Sequence, residues 1–251
     1  AIWDALKGID KALIDQIYLT ASGGPFLEKN SKNLQHVNIK QAINHPNWKM
    51  GKKISIDSAT MINKVFEIIE AKKIFEIPYN KLSIIIHPKS YVHAIIKFKN
   101  GLTKIVVHDT NMKIPIFNSL YSSQNIITSK KLDFKILNNL DFRYANSRKF
   151  PLIKVIKILP NYSSLYETIL VSINDKLVEL FLNNKINVQI IYNGTLSKKF
   201  KKADKLKCMF VVVVGEDEIK NGVLQLKNLK TGEQQQLTFE DTIEIIKKNT
   251  D

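Results

Sequence analysis

Between Leu82 and His108 the apolar residues come in three strand-sized blocks, Leu82–Ile86, Val92–Phe98 and residues 102–108. Asn100-Gly101 separates the last two, and an Asn-Gly step favours the positive φ of a tight turn, so the spacing predicts an antiparallel hairpin. A hairpin with apolar faces obliges the chain to build a covered sheet. The longest apolar runs, such as residues 210–214, are also only strand-sized, so no membrane span and no membrane partner is expected.

Ahead of the hairpin, Ile2, Leu6, Ile9 and Leu13 fall on one face of a helical entry, and residues 16–20 read as a strand. Ser22-Gly23-Gly24-Pro25 then breaks the chain. Residues 26–52 are polar, with Leu34, Val37 and Ile43 as their apolar pins, and read as a long lid loop carrying one short helix. Residues 53–57 alternate like a strand, and Ser58-Ala59-Thr60 is expected to open a helix reaching about residue 75. Further helical patterns cover 152–158 and 167–182.

A second regime begins near Asn187. Residues 1–187 hold 27 basic and 14 acidic side chains, whereas residues 188–251 hold 11 and 9. The tail reads as a strand at 188–192, a basic helix at 197–206, a buried strand at 210–214, turns at Asn221-Gly222 and Thr231-Gly232, and a last helix at 239–248 opened by Thr238-Phe239-Glu240-Asp241. No linker separates the two regimes.

The net charge of +15 raises a nucleic-acid reading, but arginine occurs only at positions 143 and 148. Sites that read phosphates or bases favour the planar arginine fork. Lysine spread over solvent-facing positions is the simpler account, and a small phosphorylated substrate is compatible with it. The single cysteine, Cys208, cannot form an internal disulfide, which fits a reducing, cytoplasmic setting.

Four segments carry candidate chemistry. Ser22-Gly23-Gly24 after a strand offers backbone N–H groups and a hydroxyl to an anion, although a plain tight turn uses the same residues. His45-Pro46-Asn47-Trp48-Lys49-Met50-Gly51 places a tryptophan in a polar loop, either as a lid over a ligand or packed on its own scaffold. In the helix after Ser58, Asn63, Glu67 and Glu70 share one face, opposite Met61, Val65, Ile68 and Ile69. A phosphate could meet Ser58, Asn63 and Lys64 together, leaving Glu67 for a cation; a helix cap and solvated side chains are the plain alternatives. His87 and His93 lack companion ligands at metal spacing and read as structural or interface residues.

Taken in order, Thr20 to Phe26, His45 to Gly51, Lys53 to Glu67, His87 to His93, Asp109 to Met112 and Pro151 to Ser172 resemble the successive signatures of the 1-deoxy-D-xylulose 5-phosphate reductoisomerase family. The resemblance covers about residues 1–187. It implies an α+β catalytic domain (a small sheet with helices and a long lid loop) and an oxidoreductase–isomerase of isoprenoid biosynthesis that forms 2-C-methyl-D-erythritol 4-phosphate. It also implies NADPH and Mg²⁺ or Mn²⁺ as cofactors and a phosphorylated sugar as substrate. A homodimer paired around His87 to Phe98 is expected too. Carried over, Ser22, Ser58, Asn63 and Lys64 hold the substrate, His45 and Trp48 belong to the lid, Gly51 touches the cofactor, and Glu67 is a metal ligand that also borders the substrate.

The resemblance also implies a nucleotide-binding domain and two more metal carboxylates that these 251 residues do not show, and the family's Asn-Glu pair is altered at Asn174-Asp175. Both cofactor sites are therefore expected to be incomplete and this chain alone inactive. Residues 188–251, through Tyr192-Asn193-Gly194, Lys201 to Lys205, Gly215 to Glu218 and Leu226 to Gln235, resemble the anticodon-binding domain of histidyl-tRNA synthetase. They imply a partial α/β module with at most weak tRNA contact, joined as a chimera at Lys185-Ile186-Asn187. The alternatives are a synthetase-like tRNA-binding fragment and a non-catalytic phosphate-binding remnant.

Overall fold

A computed structural model describes residues 1–29, 34, 37–121, 125–183 and 195–249. It divides into two compact units, Ala1–Ser172 and Ile173–Asp251. The join expected at 185–187 and the strand expected at 188–192 lie outside the described residues. No described helix is long and apolar enough to cross a membrane.

The first unit opens with α1 (Ile2–Leu6), shorter than the helical entry expected. Gly8, with φ +70°, turns the chain out of it, and a 3₁₀ turn at Lys11–Leu13 leads into β1 (Ile14–Ala21). Then follow α2 (Ile39–Ile43), α3 (Lys52–Thr60) and α4 (Ile62–Phe75), and a 3₁₀ turn at Tyr79–Lys81. β2 (Leu82–Ile86), β3 (Val92–Phe98) and β4 (Thr103–Val107) come next. After α5 (Lys113–Leu120) and α6 (Phe134–Leu137), β5 (Arg143–Tyr144) closes the sheet in the order β4-β3-β1-β2-β5.

β1 is central, with Ile14 and Ile17 wholly buried. It runs parallel to β2, Ile17 opposite Leu82, and antiparallel to β3. The expected hairpin is present: Gly101 has φ +87°, and the Phe98 N–H donates to the Leu102 carbonyl at 2.9 Å. β3 is hydrogen-bonded on both sides, so the strand expected to pair two protomers has no free backbone edge, and β4 is the strand at the end of the sheet.

Residues 53–57, expected as a strand, lie within α3. Five residues are too few to separate a period of 2 from one of 3.6, and the helix wins by its own contacts. The Ser55 Oγ donates to the Gly51 carbonyl at 3.0 Å, Lys53 pairs with Asp57 at 2.6 Å, and the pattern buries Ser55, Ile56, Asp57 and Ala59 while Ile54 stays exposed. The helix expected to start at Ser58 is instead broken there: Met61 is left-handed (φ 66°) and joins α3 to α4. α4 packs on β1 and β2, burying Ile62, Val65, Ile68 and Ile69, as its periodicity predicts.

A 3₁₀ segment at Pro151–Lys157 occupies the position expected for a helix and packs against α4. α7 (Tyr166–Leu182) begins in the first unit, and its first-turn Glu167 is buried. The Tyr79 hydroxyl donates to Glu167 Oε1 and the Ser164 hydroxyl to Oε2, each at 3.0 Å, with Lys73 and Lys72 ammoniums at 3.7 and 3.9 Å.

The second unit contains α8 (Leu196–Lys205), β6 (Phe210–Val213), α9 (Glu216–Asn221), β7 (Leu224–Asn228), β8 (Gln234–Leu237) and α10 (Phe239–Lys248). Its sheet is antiparallel in the order β6-β7-β8. The Thr231-Gly232 hairpin and the Thr238 cap are as expected, the Asp241 N–H donating to Thr238 Oγ1 at 3.2 Å. Two expectations fail. Gly222 (φ +66°) ends α9 rather than turning a hairpin, and β6 is only half-buried, with Val212 at 40% exposure.

Burial pushes the Glu167 carboxyl up, but hydrogen bonds from its own backbone, Ser164 and Tyr79, together with the Lys73 charge, outweigh burial and hold it below the usual carboxylate range. A depressed folded value contributes stability above the unfolded carboxylate pKa, and that stability is lost as pH falls through the folded value. Glu167→Gln should therefore cost about 1–3 kcal/mol at pH 7, and the gap in melting temperature from the parent chain should close between pH 5 and pH 3, roughly the carboxylate range.

Candidate substrate seat and lid

β1 ends by delivering Ser22-Gly23-Gly24 to the elbow between α3 and α4. Gly24 has φ +66°, and a Cβ placed there would lie 2.6 Å from the Ser58 carbonyl oxygen, so the two backbones approach as only glycine permits. Gly23 is likewise left-handed (φ +89°) and packed against Leu27. Both glycines thus hold positive φ, and the Gly24 N–H is turned back onto the Ser22 hydroxyl.

His45 is buried and reaches Ser22, its Nε2 lying 3.0 Å from Ser22 Oγ. The other ring nitrogen, Nδ1, accepts the backbone N–H groups of Asn47 and Trp48, both at 3.1 Å. A nitrogen that accepts two donors carries no proton, so the ring is the neutral tautomer with hydrogen on Nε2, which donates to Ser22 Oγ. Burial also lowers the His45 pKa, in keeping with a neutral ring. Ser22 Oγ further accepts the Gly24 N–H at 3.3 Å. Its own hydrogen is then left to donate to a ligand oxygen.

The lid segment is pinned to the sheet by a residue that the sequence motif contains but does not single out. Asn47 Nδ2 donates to the Pro88 carbonyl at 2.6 Å and to Ser90 Oγ at 3.0 Å. Ser90 is left-handed (φ 53°) and buried, so the turn after β2 is shaped to receive it. Trp48 is half-buried. Gly51 caps α3 in the open, with no atom within 4 Å of an added Cβ.

On the first turn of α4, Asn63 Nδ2 donates to Glu67 Oε1 at 2.8 Å and the Lys64 ammonium pairs with Oε2 at 2.6 Å. Both Glu67 oxygens are thus engaged within the helix. Asn63 and Lys64 lie where the helix N-terminus favours negative charge. Among the described residues, no hydrogen bond joins the Ser22–His45 pair to the Asn63–Lys64–Glu67 cluster, and Gly24 against Ser58 is the contact between their supports.

A divalent cation does not fit this set as it stands. Hard cations of this kind take about six oxygen ligands, and among the described residues no three His, Cys, Asp or Glu side chains come together at metal-binding distance. His87 and His93 do not converge on one another. His87 Nδ1 lies 2.9 Å from the Asp141 carbonyl, and His93 stacks face to face on His108, centroids 3.4 Å apart. Burial foremost, then the neighbouring His108, pushes His93 down to about 4, so the pair is uncharged at neutral pH.

The family profile described as "1-deoxy-D-xylulose 5-phosphate reductoisomerase C-terminal domain" matches residues 1–75, and one described as "Anticodon binding domain" matches residues 142–249, starting well before the composition change near 187. The curated 1-deoxy-D-xylulose 5-phosphate reductoisomerase of Pelagibacter ubique is 57% identical over 194 residues, 77% of this chain and 50% of that protein. Its counterpart in Persephonella marina is 35% identical, covering 91% and 63%. Among solved structures, DOX-P reductoisomerase in complex with NADPH, fosmidomycin and magnesium superposes with a TM-score of 0.65 at 36% identity, covering 73% of this chain and 45% of that one. The Zymomonas mobilis enzyme in complex with NADPH gives 0.67 at 27%, covering 82% and 57%. The chain spans about half the length of the curated relatives it matches. Over roughly three-quarters of its own length, it is similar in sequence and in fold to the 1-deoxy-D-xylulose 5-phosphate reductoisomerases.

Proposed function

We propose that residues 1–172 are the substrate-holding part of a reductoisomerase that converts 1-deoxy-D-xylulose 5-phosphate with NADPH and Mg²⁺ or Mn²⁺. The observation that carries this reading is the succession, along one crossover, of two positive-φ glycines pressed on Ser58, a neutral lid histidine on Ser22 and an Asn63–Lys64 pair at a helix N-terminus. Each of these groups donates, and a phosphate ester accepts. In this reading Ser22, Ser58, Asn63 and Lys64 hold the phosphate, His45 and Trp48 close over it, and Gly51 borders the nicotinamide. Glu67 is one carboxylate of the metal set, bordering the substrate, and would have to exchange its bond to Lys64 for the cation. A homodimer, if formed in this region by strand pairing, would use the outer edge of β4 rather than β3.

A second reading, tRNA contact through residues 173–251, is supported by the anticodon-binding profile and by the lysines of α8. Filter binding that showed micromolar affinity with a preference for the histidine anticodon would put it ahead. Equal, weak retention of any tRNA would leave only the charge to explain.

The 251-residue chain should bind the substrate phosphate without turnover. Incubated with 1-deoxy-D-xylulose 5-phosphate, NADPH and Mn²⁺, it should leave the absorbance of NADPH unchanged, and steady oxidation above the substrate-free rate would refute this. Gly24→Ala should weaken phosphate binding about tenfold and lower stability by about 1–3 kcal/mol, because it combines a left-handed backbone with a clash on Ser58. Gly8→Ala, equally left-handed but in open space, should lower stability and leave binding unchanged. Equal binding losses in the two variants would disprove the role of the Gly24–Ser58 approach.

A further inference from the structure

The far end of α4 opens on a cleft of about 390 Å³ that the substrate seat does not use, lined by Lys72, Lys73, Glu76, Ile77, Pro78, Asn161 and Ser163. Lys72 is nearly buried, its side chain 11% exposed, and Lys73 is 43% exposed. The carboxylate they share is Glu167, and at 3.9 and 3.7 Å it is beyond hydrogen-bond reach of both ammoniums. Its two oxygens already accept the Tyr79 and Ser164 hydroxyls. Glu76 is turned to Lys11, 3.1 Å away.

The neutral groups point the same way. Asn161 Oδ1 accepts the Tyr79 N–H at 2.9 Å, which fixes the amide and leaves its NH₂ as a donor. The Ser163 hydroxyl has no partner among the described residues. The cleft therefore gathers two ammoniums, an amide NH₂ and a hydroxyl against two carboxylates, Glu167 and Glu76, both already engaged. The carbonyl end of α4, in whose last turn Lys72 and Lys73 lie, offsets part of the excess charge. Lys72 and Lys73 keep only long ion pairs to Glu167, at 3.9 and 3.7 Å, with Lys72 also 5.5 Å from the centre of the Tyr79 ring, and an oxyanion with several oxygens would meet all four groups at once.

We propose that this cleft binds a phosphate group, carried by inorganic phosphate or a small phosphate monoester, separately from the seat at Ser22 and Lys64. Lys64 and Lys72 are eight residues apart on one helix, about 12 Å along its axis, so the two sites do not share a ligand. The aliphatic wall of Ile77 and Pro78 would accept the organic part of an ester.

Equilibrium dialysis of the full chain with labelled inorganic phosphate, at low ionic strength, tests the proposal. The parent chain should bind two equivalents, Lys64→Met one, Lys73→Glu one, and the combined variant none. The half-exposed position of Lys73 makes the reversal tolerable to the fold, and thermal melting checks this; Lys72→Met is the second variant, expected to weaken the site on the order of tenfold by removing one charged donor. Unchanged stoichiometry in Lys73→Glu, or loss of all binding in Lys64→Met, would overturn the site. Should the substrate seat itself be misassigned, the parent chain would bind a single equivalent that Lys73→Glu still removes. Displacement by glycerol 3-phosphate would identify an ester as an accepted ligand, and displacement by inorganic phosphate alone would restrict the site to the free anion.

Discussion

At Met61 the chain takes a left-handed conformation while its side chain is buried among Ala21, Ile86 and Phe150. A non-glycine residue there costs about 1–2 kcal/mol, whereas burying a methionine side chain contributes about 1.5–3 kcal/mol, so packing can sustain the strained elbow. The break falls between Ser58, in the last turn of α3, and Asn63 and Lys64, in the first turn of α4. Gly24 presses on the same elbow from the end of β1. The sheet, the two helices and the glycine loop are thus fastened at one point, and the arrangement of polar groups follows from it.

The parts of this arrangement that were legible in the sequence are those governed by local rules. Asn100-Gly101, the stripe of Val65, Ile68 and Ile69, and the Thr238 cap each act over a few residues, and each is present. The elbow was not legible, because neither glycine nor proline stands near Met61; its conformation is imposed by Ala21 and Phe150, 40 and 89 positions away. The strand reading of 53–57 failed for a related reason: Ser55 and Asp57 are polar yet buried, satisfied by Gly51 and Lys53 within the helix. Of the candidate site residues, Ser22, His45, Asn63, Lys64 and Glu67 are drawn into direct contacts, whereas Asn47, which holds the lid segment to Ser90, carried no signal beyond its place in the motif.

Charge was the least informative bulk property. A net +15 spread over lysines says little until their partners are known. Lys53 and Lys64 are tied to carboxylates on their own helices, and Lys81 and Lys104 to backbone carbonyls. Lys72 and Lys73 stand out only because their shared carboxylate is already filled by neutral hydroxyls.

β1 and β2 are parallel neighbours, and a parallel pair can be joined only by a connection that crosses back over the sheet. Every candidate seat and lid residue, from Ser22 to Glu67, belongs to that one connection. The loop that presents the seat is therefore the same covalent tether that brings the two central strands into register. Ordering the tether and zipping the strands are one cooperative event, so an occupied seat would lend its binding free energy to the most buried strands of the unit, by the same mass action that lets any native-state ligand oppose unfolding.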